Sequence, residues 1–350
     1  MSGQVSARTV LGMGTFVTIQ VVDRNEDPAQ AAKRDAAVDR AFDWFRAIES
    51  CCSRFDADSE LRRISASAVG TATPASPMLF EAVRFALAVA EETGGAFDPT
   101  VGCSMEARGF DREHWTGETI RSDVGPSDGV SYRDVELDPA RKTIALRRPL
   151  VLDLGAVAKG LAIDMAAREL RPLEHFAIDA GGDLYLGGRN VQGERWRVGI
   201  RHPRVDGALI DAISVSDAAV CTSGDYERRA PGANGGHHIL DPRTGESAAE
   251  AASVTVVAPT AMLADAVATA AFVLGPADGL RLVERLGLHG LVVTSTLDCF
   301  RTRGMPSEHT NSDGSAPVGG GDAQILSYAE RAPHHHPAGP AVDRGAERRP

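Results

Sequence analysis

Asp265 and Thr269 stand four residues apart in Ala261-Met262-Leu263-Ala264-Asp265-Ala266-Val267-Ala268-Thr269-Ala270-Ala271-Phe272. This run is apolar nearly all round, which predicts a buried helix. A carboxylate there is costly unless it is paired or holds a cation, and a spacing of four puts both oxygens on one face. Two hard oxygen donors so placed make a partial Mg²⁺ site, with its other positions open to phosphate oxygens, water or backbone carbonyls. The plainer alternative is an Asp that caps a neighbouring loop while Thr269 bonds its own backbone.

Three further stretches carry chemistry. In Asp153-Leu154-Gly155-Ala156-Val157-Ala158-Lys159-Gly160 a strand end runs into a glycine-bearing turn at a helix start. Such a turn lets N–H groups approach an anion, with Lys159 adding charge, although the spacing is not that of a Walker loop. Ala180-Gly181-Gly182-Asp183 is a tight turn that could cradle a ligand or simply close a hairpin. Thr222-Ser223-Gly224-Asp225-Tyr226, read as a turn rich in hydroxyls, precedes His237-His238-Ile239-Leu240-Asp241-Pro242. His238 there could serve as a general base near neutral pH or as a hydrogen-bonded surface residue. Without a G-x-S-x-G elbow, Ser223 is discounted as a nucleophile. Cys51-Cys52 lacks the further ligands of a zinc site, and the run His334-His335-His336 is too short for a built one.

The elements that must hold these residues follow from periodicity. A β-rich strand is predicted over 15–22 and helices over 29–50 and 76–93, the second opened by a Ser76-Pro77 start. Strands are predicted over 143–146, 150–154, 176–178, 196–200 and 208–215, with a helix from Gly155 to about Leu170. The last third reads as a strand over 253–258, helices over 260–274 and 277–286, and strands over 290–294 and 299–302. Residues 111–134 form a polar excursion without a motif. Helices and strands mix without regular βαβ alternation, so the expected class is α+β. The apolar stretch 254–275 is interrupted by Pro259 and Asp265 and reads as a strand and a helix, not a membrane span. From Gly304 onward the composition shifts to Ser, Gly, Pro, Ala and His, so 304–350 is expected to be a disordered tail after one catalytic domain over 1–303.

Composition narrows the function classes. The 350 residues carry 37 Lys and Arg against 48 Asp and Glu, a net charge of −11, which argues against general nucleic-acid or anionic-membrane binding. Five cysteines without a C-x-x-C pair read as reduced thiols, and with no secretory signal apparent at the N-terminus the expected compartment is the cytoplasm.

Taken in order, Met13-Gly14-Thr15, Phe97-Asp98-Pro99-Thr100-Val101-Gly102, Asp153 through Lys159-Gly160-Leu161-Ala162-Ile163-Asp164, Gly181-Gly182-Asp183, Thr222 to Tyr226, His238 to Gly245, and Ser253-Val254-Thr255-Val256 with Asp265 and Thr269 resemble the motifs of the ApbE family. These are the FAD:protein FMN transferases, and the order and rough spacing match from about Arg8 to Thr302. The resemblance implies an α+β fold of two packed lobes with mixed or antiparallel sheets and a ligand cleft between them. It implies Mg²⁺-dependent attachment of FMN from FAD to a Thr or Ser of an acceptor flavoprotein through a phosphoester, releasing AMP. Carried over by residue, it implies a metal held by the Ala156 carbonyl, Asp265 and Thr269. FAD contacts would come from Met13, Ala96, Phe97, Asp98 and Asp153, and the base would be His238. Lys159, Thr222 and Ser223 are further candidates for flavin or phosphate contacts.

Phe55 stands where family members often place a flavin-touching Tyr, so stacking is kept and a hydroxyl bond lost. The tail lies outside the family pattern. Two other activities fit the same residues: a Mg²⁺-dependent FAD pyrophosphatase giving FMN and AMP, and a non-catalytic FAD-binding protein. The joint presence of Asp265, Thr269 and His238 argues against the last, because storage needs no base aimed at phosphorus.

Overall fold

The protein is represented by a computed structural model that describes residues 4–23, 27–113, 116–125, 127–230 and 236–306. It opens with a hairpin of β1 (Gln4–Gly12) and β2 (Thr15–Asp23), closed by Met13 and Gly14 at φ 52° and 71°. Two left-handed residues in a two-residue loop match the twist of the flanking strands. Then come α1 (Pro28–Cys52), α2 (Glu60–Ser65), the short β3 (Thr73–Pro74), α3 (Pro77–Glu92) and α4 (Gly102–Ala107). The chain continues through β4 (Val135–Asp138), β5 (Thr143–Leu146) and α5 (Gly155–Leu170). Five strands follow: β6 (Phe176–Ala180), β7 (Asp183–Gly187), β8 (Trp196–Arg201), β9 (Leu209–Val215) and β10 (Ala218–Gly224). The described chain ends with β11 (Ala251–Ala258), α6 (Ala261–Arg285), β12 (His289–Thr294) and β13 (Cys299–Arg301).

Eight strands form one antiparallel sheet in the order β1-β2-β6-β7-β10-β11-β12-β13. The main core lies on one face, where Val17, Ile19, Ile178, Cys221, Val254 and Val256 meet α1, α3, α5 and α6. On the other face the β8–β9 ribbon buries Trp196, Val198, Ile200 and Ile213 against Val22, Leu184, Leu186 and Val220. The fold is therefore α+β, as its irregular alternation predicts.

Several expectations need correction. Leu150, Val151, Leu152 and Leu154 are buried, but the segment forms only an isolated bridge, Val101 to Val151, because its apolar side chains fill the core without a neighbouring strand to pair with. Thr222 and Ser223 lie on β10, not in a turn. β1 was not predicted, since as an edge strand it is mostly exposed and shows no apolar alternation. The two helices expected over 260–274 and 277–286 are found as the two parts of α6, which Gly275 (φ 77°, ψ 177°) divides just before Pro276, as expected. α6 is long and apolar enough to cross a bilayer, but much of it packs against the sheet. Met305 is buried in the second cluster. The expected tail beyond Pro306, with His334 to His336, lies outside the described residues.

Candidate active site

The site is built on the seam between α5 and α6. Gly160 lets the helices touch, since a Cβ at this position would stand 2.4 Å from Met262 Cα and 2.5 Å from its nitrogen. One turn later the Asp164 carboxylate accepts from the backbone N–H of Ala261 (2.7 Å) and Met262 (3.0 Å), pinning the start of α6. Such an anion suits the positive end of a helix, yet burial dominates and raises the Asp164 pKa to about 6. Near the start of α5, Ala156 leaves helical geometry (φ −95°, ψ 18°). The break falls at the residue whose carbonyl the resemblance assigns to a metal.

Asp265 is buried on α6, and its Oδ2 has no hydrogen-bond partner. Burial raises its pKa, opposed by the positive charges of Lys159 and Arg228. One turn on, Thr269 Oγ1 lies 3.1 Å from Ser223 Oγ on β10. If Thr269 donates its proton to Ser223, its lone pairs stay open to a cation, the arrangement by which outer partners orient metal ligands. A buried carboxylate oxygen without a partner and a hydroxyl one turn away are hard oxygen donors that fit Mg²⁺. Among the described residues no three His, Cys, Asp or Glu side chains cluster as a metal site. The donor set is therefore legible only when hydroxyl and carbonyl oxygens are counted.

Lys159 is not a free cation: its ammonium pairs with Asp183, whose other oxygen accepts from the Thr222 N–H at 3.2 Å. Thr222 and Ser223, adjacent on a strand, point to opposite faces. Thr222 Oγ1 bonds Thr255 Oγ1 at 2.8 Å, while Ser223 alone joins Thr269. The Gly181-Gly182 turn links this network to the Met13 hairpin, because Gly181 donates to the Phe16 carbonyl at 3.2 Å and packs against Thr15.

The two histidines have different environments. His237 Nε2 lies 2.7 Å from the Ala248 carbonyl and its ring meets Phe272 edge-on, a structural placement. His238 Nδ1 is buried without a partner. Burial, reinforced by the Arg228 charge, lowers the His238 pKa to about 4, so the imidazole is neutral at pH 7 and open to a proton. Phe110 packs edge-on to His238 at 6.4 Å, and the Phe110 carbonyl accepts from Arg54. Arg54 in turn donates to Asp153 Oδ2 at 2.6 Å and lies 4.2 Å from the centre of the Phe55 ring. A chain of contacts thus joins His238, Phe110, Arg54, Asp153 and Phe55.

Both Asp153 oxygens are committed, Oδ2 to Arg54 and Oδ1 to the Gly155 N–H at 2.7 Å. Burial is the largest single influence on Asp153 and raises its pKa, but Arg54, the Gly155 N–H and Arg228 together bring it below the usual carboxylate range. Asp98 is likewise engaged: Oδ1 accepts from the Thr100 N–H and hydroxyl, and Oδ2 from the Tyr132 N–H at 2.9 Å. Ala96 and Phe97 are buried beside it, and the loop is tied to the 151–153 segment by the Asp153 N–H to the Pro99 carbonyl at 2.7 Å. Sequence reasoning missed Arg54 and Arg228. Arg54 is flanked by Ser53 and Phe55, but nothing local reveals its partner Asp153, 99 residues away. The Arg228 carbonyl accepts from the His238 N–H at 3.2 Å, and its positive charge acts on Asp153, His238 and Asp265.

Comparison with known proteins identifies the family. The ApbE family model matches residues 13–292. The FAD:protein FMN transferase of Treponema pallidum is 33% identical over 294 residues, covering 77% of this chain and 78% of that protein. That of Klebsiella pneumoniae is 30% identical over 319 residues, covering 87% and 89%. Among solved structures, the ApbE protein of Thermotoga maritima superposes with a TM-score of 0.74 at 30% identity, over 86% of this chain and 97% of that one. The flavin transferase ApbE of Vibrio cholerae gives 0.72 at 26% identity, with coverage of 86% and 97%. With the family model spanning most of its length and the fold shared throughout the matched region, the chain belongs to the ApbE family.

Proposed function

We propose that the protein transfers FMN from FAD to a Thr or Ser hydroxyl of an acceptor flavoprotein, with Mg²⁺ bound and AMP released. The observation that carries this reading is the buried, unpartnered Asp265 oxygen one helical turn from Thr269. The relatives' name supplies the flavin chemistry, FAD as donor and a protein as acceptor. In a chain of net charge −11 a diphosphate needs a local cation. Asp265, Thr269 and the Ala156 carbonyl would hold Mg²⁺, which when bound neutralises the diphosphate and the charge building on AMP.

The chain's own residues do the rest. His238, neutral and with a free ring nitrogen, accepts the proton of the acceptor hydroxyl as that oxygen bonds to the FMN-side phosphorus and the bond to AMP breaks. A base with a pKa near 4 is weak in the free enzyme; the negative charge of bound FAD raises it toward working pH. Phe55, backed by Arg54, offers a face for the flavin. Asp153 and Asp98, whose oxygens are already bonded, act by fixing the backbone around the cleft, not by contacting FAD with free carboxylates.

The test is intact-protein mass spectrometry of a flavoprotein acceptor incubated with this chain, FAD and Mg²⁺, with AMP followed in the same tube. An FMN adduct on Thr or Ser with matching AMP supports the transferase. AMP without an adduct on any acceptor supports the pyrophosphatase, and neither product leaves an FAD-binding protein.

A further inference from the structure

Three basic side chains act on the site groups Asp153, His238 and Asp265: Arg54, Lys159 and Arg228. Two of them are already committed. Arg54 is tied to Asp153 and to the Phe110 carbonyl, and Lys159 to Asp183. Arg228 is exposed, and its guanidinium makes no ion pair or hydrogen bond among the described residues. The acids beside it in sequence belong to other arginines. Asp225 accepts from Arg204 at 2.7 and 2.6 Å, and Glu227 lies 4.0 Å from Arg201.

Backbone pairing fixes where Arg228 stands. The His238 N–H donates to the Arg228 carbonyl at 3.2 Å, and the Ala230 N–H donates to the Gly236 carbonyl at 2.8 Å. Between these bonds Arg229 and His237 form an antiparallel bridge. In this register Arg228 lies directly opposite His238, and opposed residues project their side chains from the same face. Arg229 shares the other face with His237, on which its charge acts. The segment is anchored at its start, where the Asp225 N–H donates to the Ala252 carbonyl at 3.1 Å and the Asp225 carboxylate holds Arg204. An uncommitted cation is thus paired across a two-stranded ribbon with the unpartnered His238 ring. Its charge reaches both Asp153, just before α5, and Asp265 on α6.

Taking FMN transfer as the reaction, we propose that Arg228 binds the FMN-side phosphate of FAD, the phosphoryl group that is transferred. A base that takes the acceptor's proton works beside the phosphorus under attack, so a cation on the same face of the ribbon meets the non-bridging oxygens of that phosphate. The planar guanidinium donates N–H bonds to phosphate oxygens in a fixed fork and offsets their charge as transfer proceeds. Arg228 stays protonated throughout and forms no covalent bond.

The full chain with Mg²⁺ is titrated with FAD by flavin fluorescence, and bound FAD is then displaced with FMN or with AMP. Arg228→Gln is expected to weaken FAD and FMN by about tenfold or more and to leave AMP unaffected. Arg228→Lys should recover part of the loss, since the charge returns without the fork. Arg229→Gln, one residue on and facing away, should bind all three as the wild type does. Equal FAD affinity in Arg228→Gln and wild type overturns the proposal, as does an equal loss in Arg229→Gln, the mark of a general surface-charge effect. Loss of AMP affinity with FMN affinity kept overturns the assignment to the FMN side. Wild-type chain that shows the expected binding pattern yet gives no FMN adduct on any acceptor overturns the transferase reading and leaves the Arg228 contact standing.

Discussion

An oxygen of Asp265 held from water without a partner costs stability. Asp265→Ala is therefore expected to leave the metal-free protein as stable as before or more so in a thermal melt. Turnover should fall by roughly a hundredfold or more, the several kcal/mol a metal contributes to such a transition state. His238→Ala should keep FAD and Mg²⁺ bound while transfer falls about 10²- to 10⁴-fold; unchanged AMP release in both variants would remove the mechanism. The lowered pKa of His238 fixes a sign. The folded protein holds the imidazole neutral down to about pH 4, so the acid limb of kcat/KM should lie near 4 and that of kcat, measured with FAD bound, higher. Stability should also decline as pH falls from about 6.5 toward 4, because the unfolded chain takes up that proton first. A urea titration at stepped pH reads this directly, with His238→Ala flattening that part of the curve.

At the scale of elements, the site depends on how closely α5 and α6 approach. A Cβ at position 160 meets backbone, which cannot move aside as a side-chain end can. Gly160→Ala is expected to cost about 1–3 kcal/mol or more, and by parting the helices to weaken Mg²⁺-dependent FAD binding, measured by flavin fluorescence. Asp164→Ala leaves the N–H groups of Ala261 and Met262 without their acceptor. The expected loss, also read by denaturant titration, is about 1–3 kcal/mol. Both residues stand in the sequence beside Lys159, yet periodicity gave them no role, since a helix-to-helix contact is a relation between segments 97 residues apart. α1 and α3 were legible because their apolar stripes repeat at the helical period, and the α6 core because its long run is apolar nearly all round. Residues 150–154 were misread because a short apolar run looks the same whether it pairs as a strand or only fills a core.

For the whole molecule, the proposed function together with the net charge of −11 predicts that FAD binding depends on a bound cation. In a thermal-shift assay, FAD should raise the melting temperature clearly only with Mg²⁺ present. At about 100-fold excess over Kd the stabilisation should approach ~2.7 kcal/mol. An equal shift in excess chelator would contradict the metal assignment. The sequence alone determined the α+β class, the family resemblance, and Asp265, Thr269 and His238 as the residues to test, because residue type, spacing and burial periodicity are local properties carried by the chain. Tertiary structure decided the rest. It paired Lys159 with Asp183, separated Thr222 from Ser223 by strand alternation, and occupied the Asp98 and Asp153 carboxylates. It also brought Arg54 and Arg228 to the site. Whether a charged or polar group is free to act depends on which distant partner reaches it first, and folding alone fixes that.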